Sequence, residues 1–358
     1  MSTLSAALRC WAPWLFVAAS ASACGSGDGA ASTSHEGRAV LVAETAFSDD
    51  TLGWIVDLAL VGDRIVGLDA MLDPSVHVFD LESLQHLASY GRRGDGPGEF
   101  KDPEQIVIGA SSSPEEVWIL DGGHQRLTQL SLNELEAGAV VAPQTFSLDG
   151  PNAGSLVRVP DGRWFAGGWI TDGRVGRFRA DRSYDRTIVG FPPEAEAPGM
   201  TLLQAYESRV VADPAGNRLA AATLLAGLLE IFDYDGAAVT QAATPDPFPP
   251  AWVQGRSRGG RAVMSVGPET RYGFTDLAAT SRFLYGLFSG GRVMQKGTPW
   301  ATKDIQVFGW DGEHVKTLHL DRTAEAITVD ATDTWLYASG PEPTPWVGRF
   351  RLPEPSHE

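Results

Sequence analysis

Five polar residues, Asp57, Gln105, Arg209, Asp276 and Glu325, stand near the starts of short apolar segments spread along the chain. Glu104 could serve in place of Gln105. Three carboxylates and an amide brought to one axis could hold a divalent cation such as Ca2+ or polarise a substrate. The guanidinium of Arg209 works against that chemistry, because it can neutralise the same carboxylates and leave a ring of mutually paired groups. Other catalytic patterns are missing from the sequence. The seven histidines are scattered and form no H-E-x-x-H spacing, and no G-x-S-x-G occurs. His124 alone falls on a turn, where it reads as a surface residue.

A second group of candidates lies in Thr244–Gly273, rich in proline and glycine. It gathers Arg256, Arg258, Arg261 and Arg271 beside Trp252 and Tyr272, in a chain with a net charge of −17. Arginine and aromatic side chains dominate the energetics of protein interfaces, and long structured loops are commonly functional. The bland alternative is an insertion whose arginines neutralise nearby carboxylates. A shorter insertion, Phe191–Met200, could border the same face. Trp54, Trp169 and Trp300, also on loops, offer stacking surfaces to a small molecule or glycan. The acidic balance argues against nucleic acid as a partner.

The elements that must position these residues are strands. Six times an apolar residue stands three places before a large apolar anchor: Val76/Phe79, Leu127/Leu130, Val175/Phe178, Leu229/Phe232, Ile305/Phe308 and Val347/Phe350. Side chains three apart on a strand face opposite sides of the sheet, so both faces must be buried. The anchors recur about every fifty residues, a period typical of propeller blades. Upstream of each lies a second strand, such as Arg64–Asp69, Arg218–Thr223 or Phe283–Phe288. Turns including Gly62-Asp63, Asp161-Gly162, Asp235-Gly236 and Asp311-Gly312 supply the hairpins. The expected fold is all-β, a six-bladed β-propeller of four-stranded antiparallel blades. Too few residues follow Phe350 for a fourth strand in the last blade, so Arg38–Ala46 is expected to complete it. Closure of that kind removes exposed sheet edges.

Gly91-x-x-Gly94-x-Gly96-x-Gly98-x-Phe100-x-x-Pro103 resembles the blade-entry motif of the NHL repeat, and Asp121-x-x-His124-x-Arg126 resembles its D-x-x-N-x-R strand and turn. Near the end, the segment from Ile305 through Ala338 is similar to the terminal blades of TolB-like six-bladed propeller lipoproteins of bacteria. Both resemblances imply a six-bladed propeller. The glycines of the first motif serve the backbone where the chain crosses between blades, because no helix follows them to cradle a phosphate.

The first residues suggest where the protein works. Arg9, an apolar run from Trp11 to Ala19 and small residues before Cys24 read as a signal peptide over 1–23. Cys24 after Ala21-Ser22-Ala23 resembles a lipobox, and it would be the sole cysteine left after cleavage, so lipidation there is expected. A polar tether over 24–37 would then lead to a propeller over 38–358, at the bacterial cell envelope and on the outer membrane. The resulting expectation is an anchored binding or scaffolding module for an envelope protein, small molecule or glycan. It touches membrane only through its lipid and needs no cofactor. The alternative is a metal-dependent hydrolase or lyase with its site in the central channel.

Overall fold

The six anchor pairs divide between neighbouring interfaces as strand alternation requires. Phe350 packs in one core with Ile305 while Val347 packs in another with Phe79. Val76 and Leu130 share one core, Leu127 and Phe178 the next, then Val175 and Phe232, Leu229 and Phe308, and Ile305 and Phe350. Every anchor therefore joins its blade to the one before, and its apolar companion joins it to the one after. All twelve side chains are buried. The hydrophobic energy of this protein is stored between blades, which makes the closed ring the folding unit.

The computed structural model describes residues 39–109, 115–139, 143–193, 195–197 and 199–354. The signal peptide, Cys24 and the tether lie outside these residues. Blade 1 comprises Ile55–Val61, Arg64–Asp69, Val76–Asp80 and His86–Tyr90; blade 2 comprises Pro103–Val107, Glu116–Asp121, Arg126–Ser131 and Gln144–Ser147. Blade 3 holds Asn152–Arg158, Trp164–Trp169, Val175–Phe178 and Tyr184–Val189, and blade 4 holds Ser208–Ala212, Arg218–Thr223, Leu229–Asp233 and Ala238–Gln241. Blade 5 is Phe274–Ala279, Phe283–Phe288, Thr302–Gly309 and His314–Ala324. Blade 6 is Ala326–Val329, Trp335–Gly340 and Trp346–Arg351, completed by Ala43–Ser48 from the start of the chain. All pairing within these four-stranded blades is antiparallel. The first strand of each blade is innermost and adjoins the first strands of its two neighbours.

Closure by the leading segment is as expected, with one refinement. The segment is divided at Val42. Ala43–Ser48 pairs antiparallel with Trp346–Arg351, while Ala39–Leu41 runs parallel along His314–Ala324 as a fifth strand on blade 5. That last strand of blade 5 offers its outer edge at Leu318–Leu320, opposite the edge that pairs with Thr302–Gly309. Leu41 enters the core between blades 5 and 6, whereas Val40 and Val42 on either side are exposed. One segment thereby ties two blades.

The glycine-rich junction shows why its residues are needed. Gly91 has φ +86°, and a Cβ there would lie 2.4 Å from the ring of Phe100. Phe100 is fully buried between blades 1 and 2. Asp121 accepts the backbone N–H groups of Lys101 and Asp102 at 3.1 and 3.0 Å and meets His124 at 2.6 Å. Arg126 reaches back to the carbonyl of Gly96 at 3.3 Å. Asp69 does the same work one blade earlier, accepting from Gly53 at 2.6 Å and Trp54 at 3.1 Å. His124 is thus part of a junction clasp.

Candidate functional site

The ring of channel residues exists, and its logic is a circuit of hydrogen bonds from blade to blade. Ile106 N–H donates to Asp57 Oδ2 at 2.6 Å, Leu156 N–H to Gln105 Oε1 at 2.6 Å, Val210 N–H to Ser155 Oγ at 3.0 Å, and Ile327 N–H to Asp276 Oδ2 at 2.7 Å. Each acceptor sits at the same position of its innermost strand. Each donor is the residue just after that position on the next blade. Arg209 occupies the position in blade 4 and, being a donor, breaks the circuit. Its guanidinium hydrogen-bonds Asp57 on the opposite side of the ring and pairs with Asp276 Oδ1, at 2.6 Å from Nε. In blade 6 the position is Ala326, which has nothing to offer, and Ser339 Oγ instead donates to the carbonyl of Ile55 at 3.2 Å.

Two buried carboxylates and one guanidinium leave a net negative charge in the channel. Burial pushes the Asp57 carboxyl up to about 6; Arg209 opposes the rise and Asp276 adds to it. Arg209 already stands between the two carboxylates, where a cation would have to sit. Among the described residues no cluster of three or more His, Cys, Asp or Glu side chains has the arrangement of a metal site.

Glu325 is not a member of this set. It precedes Ala326 by one residue, and strand alternation turns its side chain away from the ring's hydrogen-bond circuit. It lines instead a solvent-open pocket with Trp54, Val56, Leu224, Tyr272, Thr275 and Trp300. The lining comes from blades 1, 4, 5 and 6, at the end of the ring where the innermost strands begin. Glu325 is 7% exposed, and Trp300 donates its indole N–H to Glu325 Oε1. Burial pushes its carboxyl up to about 7, against the pull of the Trp300 and Trp54 indoles, with Glu342 adding to the rise. The rings of Trp54 and Trp300 lie 6.0 Å apart at 45°, and those of Tyr272 and Trp300 lie 6.5 Å apart at 72°.

Local structure explains how these rings converge. Trp54 is fixed just before the first strand of blade 1 by Asp69, which accepts its N–H, and by its own carbonyl, which accepts from Ala70 at 2.9 Å. Trp300 lies on the loop between the second and third strands of blade 5. Gly273 donates to the carbonyl of Leu224 at 2.7 Å, and a Cβ on it would stand 1.7 Å from the oxygen of Ala226. Only glycine permits that approach, which sets Tyr272 beside the blade 4 loop.

The two insertions meet, as their composition suggested. The helix Gly199–Ala205 and the hairpin Val253–Arg256/Ala262–Ser265 pack together with a small core of Leu202, Tyr206, Leu225, Met264 and Tyr272. Gln204 Oε1 accepts the Met264 N–H at 2.9 Å. Trp252, Phe191 and Trp300 pack against the same core, so it walls one side of the pocket.

The candidate interface residues therefore separate. Tyr272 lines the pocket and Trp252 supports it. Arg271 is structural, pairing with Asp246 and lying 4.0 Å over the ring of Phe248. Arg256, Arg258 and Arg261 are exposed around the hairpin tip, and among the described residues no carboxylate lies within ion-pair distance of them. Trp169 donates to Glu207 Oε2 at 3.4 Å beside blade 4. Ser155 and Ala326 belong to the channel register, and Val56, Leu224 and Thr275 to the pocket, without having stood out in the sequence. A cue was present for the first two. An apolar residue follows each register position (Leu58, Ile106, Leu156, Val210, Leu277, Ile327), and aligning the six blades on it selects Ser155 and Ala326.

A search of curated proteins returned no match. Among solved structures, a member of the DUF4221 family from Bacteroides vulgatus matches with a TM-score of 0.57 at 11% identity, covering 87% of this chain and 97% of that one. The Cps50 (Swd1) β-propeller domain of Myceliophteria thermophila matches with a TM-score of 0.50 at 11% identity, covering 87% of this chain and 100% of the other. Identity this low shows shared fold alone. The model of the TolB-like 6-blade propeller-like family matches residues 55–332, most of the ring just described. The chain belongs to the TolB-like six-bladed propeller family.

Proposed function

We propose that this propeller is a binding module whose ligand site is the pocket walled by Trp54, Tyr272 and Trp300, held at the bacterial envelope through Cys24. The observation that carries the reading is the pocket itself. Three aromatic side chains and one buried carboxylate, drawn from blades 1, 5 and 6, line one solvent-open recess. A channel plugged by Arg209 supports binding at the ring's end in preference to chemistry along its axis. The exposed arginines of the hairpin support a second contact, with a protein partner, on the same side.

Thermal-shift screening of small molecules and glycans against the purified protein tests the site. A genuine ligand should lose its stabilisation in Trp300→Leu and keep it in the triple alanine variant at Arg256, Arg258 and Arg261. Stabilisation that survives the first change and fails in the second would move the site to the hairpin; hits indifferent to both would refute it. The anchor is tested separately. Cys24→Ser should shift the protein from the membrane fraction to the soluble one, and continued membrane fractionation would remove the anchor from the proposal.

A further inference from the structure

We infer that the pocket selects a small alkylammonium group, caged by Trp54, Trp300 and Tyr272 and paired with Glu325; the inference rests on the pocket being the ligand site. The ring geometry points this way first. A sugar stacks on one exposed flat face, whereas Trp300 is inclined to Trp54 at 45° and to Tyr272 at 72°, with centroids 6.0 and 6.5 Å apart. Inclined π faces around a shared volume form the arrangement that attracts a cation without directed hydrogen bonds.

Charge points the same way. Glu325 is the sole charged residue in the lining, and no lysine or arginine stands among the lining side chains to neutralise it. The guanidinium of the adjoining channel is engaged by Asp57 and Asp276. Two further carboxylates, Glu104 and Glu207, lie at the same end of the innermost strands: a Cβ on Gly154 would stand 3.7 Å from one and 3.4 Å from the other. Glu207 is also the residue whose carbonyl accepts the N–H of the pocket residue Leu224, at 2.9 Å.

Hydrogen-bond supply completes the case. The Trp300 indole N–H is spent on Glu325, whereas the Trp54 Nε1, which bears on the same carboxyl, is buried with no hydrogen-bond partner among the described residues. The first of these is a donor that a neutral polyol would need for its hydroxyls. A methylated ammonium needs none, since it is attracted to ring faces and to a carboxylate. The other group bearing on Glu325 is Glu342, a second carboxylate, and it supplies no positive charge.

The test is tryptophan-fluorescence titration of the purified protein with tetramethylammonium chloride. Potassium chloride controls for ionic strength and methyl glucoside stands for a neutral ring ligand. The expected result is saturable quenching by tetramethylammonium alone. Binding should weaken about tenfold in Glu325→Gln, a near-isosteric change that keeps an acceptor for the Trp300 N–H. It should also weaken about tenfold from pH 8 to pH 6, as a carboxylate titrating near pH 7 is protonated. Saturation by methyl glucoside in place of tetramethylammonium would overturn the ammonium assignment while leaving the pocket as the ligand site. Silence from both probes would also overturn it, and the pocket reading itself falls only if the thermal-shift screen finds no ligand sensitive to Trp300. Equal tetramethylammonium affinity in Glu325→Gln would remove the carboxylate from the site.

Discussion

Replacing Arg209 by methionine is expected to destabilise the folded ring by about 3–5 kcal/mol, the usual scale for removing one partner from a buried ion pair. The side chain bridges Asp57 of blade 1 and Asp276 of blade 5, and both carboxylates are almost fully buried. Without the guanidinium, two carboxylates face each other in a channel that water barely reaches. The pH response carries the sign. Burial already raises the folded-state carboxyl of Asp57 to about 6, above its unfolded value, so its stabilising contribution is present at low pH and is lost as pH rises through about 6. Removing Arg209 takes away the opposing pull and moves that loss to higher pH. Denaturant midpoints measured from pH 5 to pH 8 should therefore fall more steeply with pH in Arg209→Met than in the parent. Parallel curves would show that Arg209 does not hold the Asp57 carboxyl in its charged state.

Deleting residues 39–48 should be as damaging, at least about 3 kcal/mol, by a different route. The deletion strips the fourth strand from blade 6 and the fifth from blade 5. Phe47, which packs 5.5 Å from Phe79 in the core between blades 6 and 1, goes with it, and so does Leu41. Trp346–Arg351 would become an open edge carrying Val347 and Phe350, both now fully buried. Such an edge invites association, so the deleted protein should melt earlier and aggregate. A synthetic peptide spanning 39–48 should restore the melting temperature by adding its strand in trans. An unchanged melting temperature after deletion would mean that the ring is stable without its closing strand.

These two outcomes mark different levels of legibility. The architecture was readable because it depends on local regularities repeated six times. A strand places residues three apart on opposite faces, so pairs such as Val347/Phe350 announce a sheet buried on both sides, and the structure puts the two members in separate cores. Closure was readable from Arg38–Ala46, a β-rich segment with nothing local to pair with. The division of the closing segment at Val42 was not, since it depends on the open outer edge of His314–Ala324 in another blade.

The channel was half legible. Asp57, Gln105, Arg209 and Asp276 come together, while Glu325, one residue out of register with them, faces the pocket. A period of two makes a one-residue error a change of face. The pocket was least legible, for its walls lie at positions 54, 272, 300 and 325, and nothing local relates them. The amino-acid sequence by itself determined six sheets and their two buried faces, since both follow from the periodicity of a single strand. The tertiary structure alone decided that Arg209 crosses the channel to Asp57 and that Trp54, Tyr272 and Trp300 incline around Glu325. Those contacts join different blades, and only ring closure sets the distances between them.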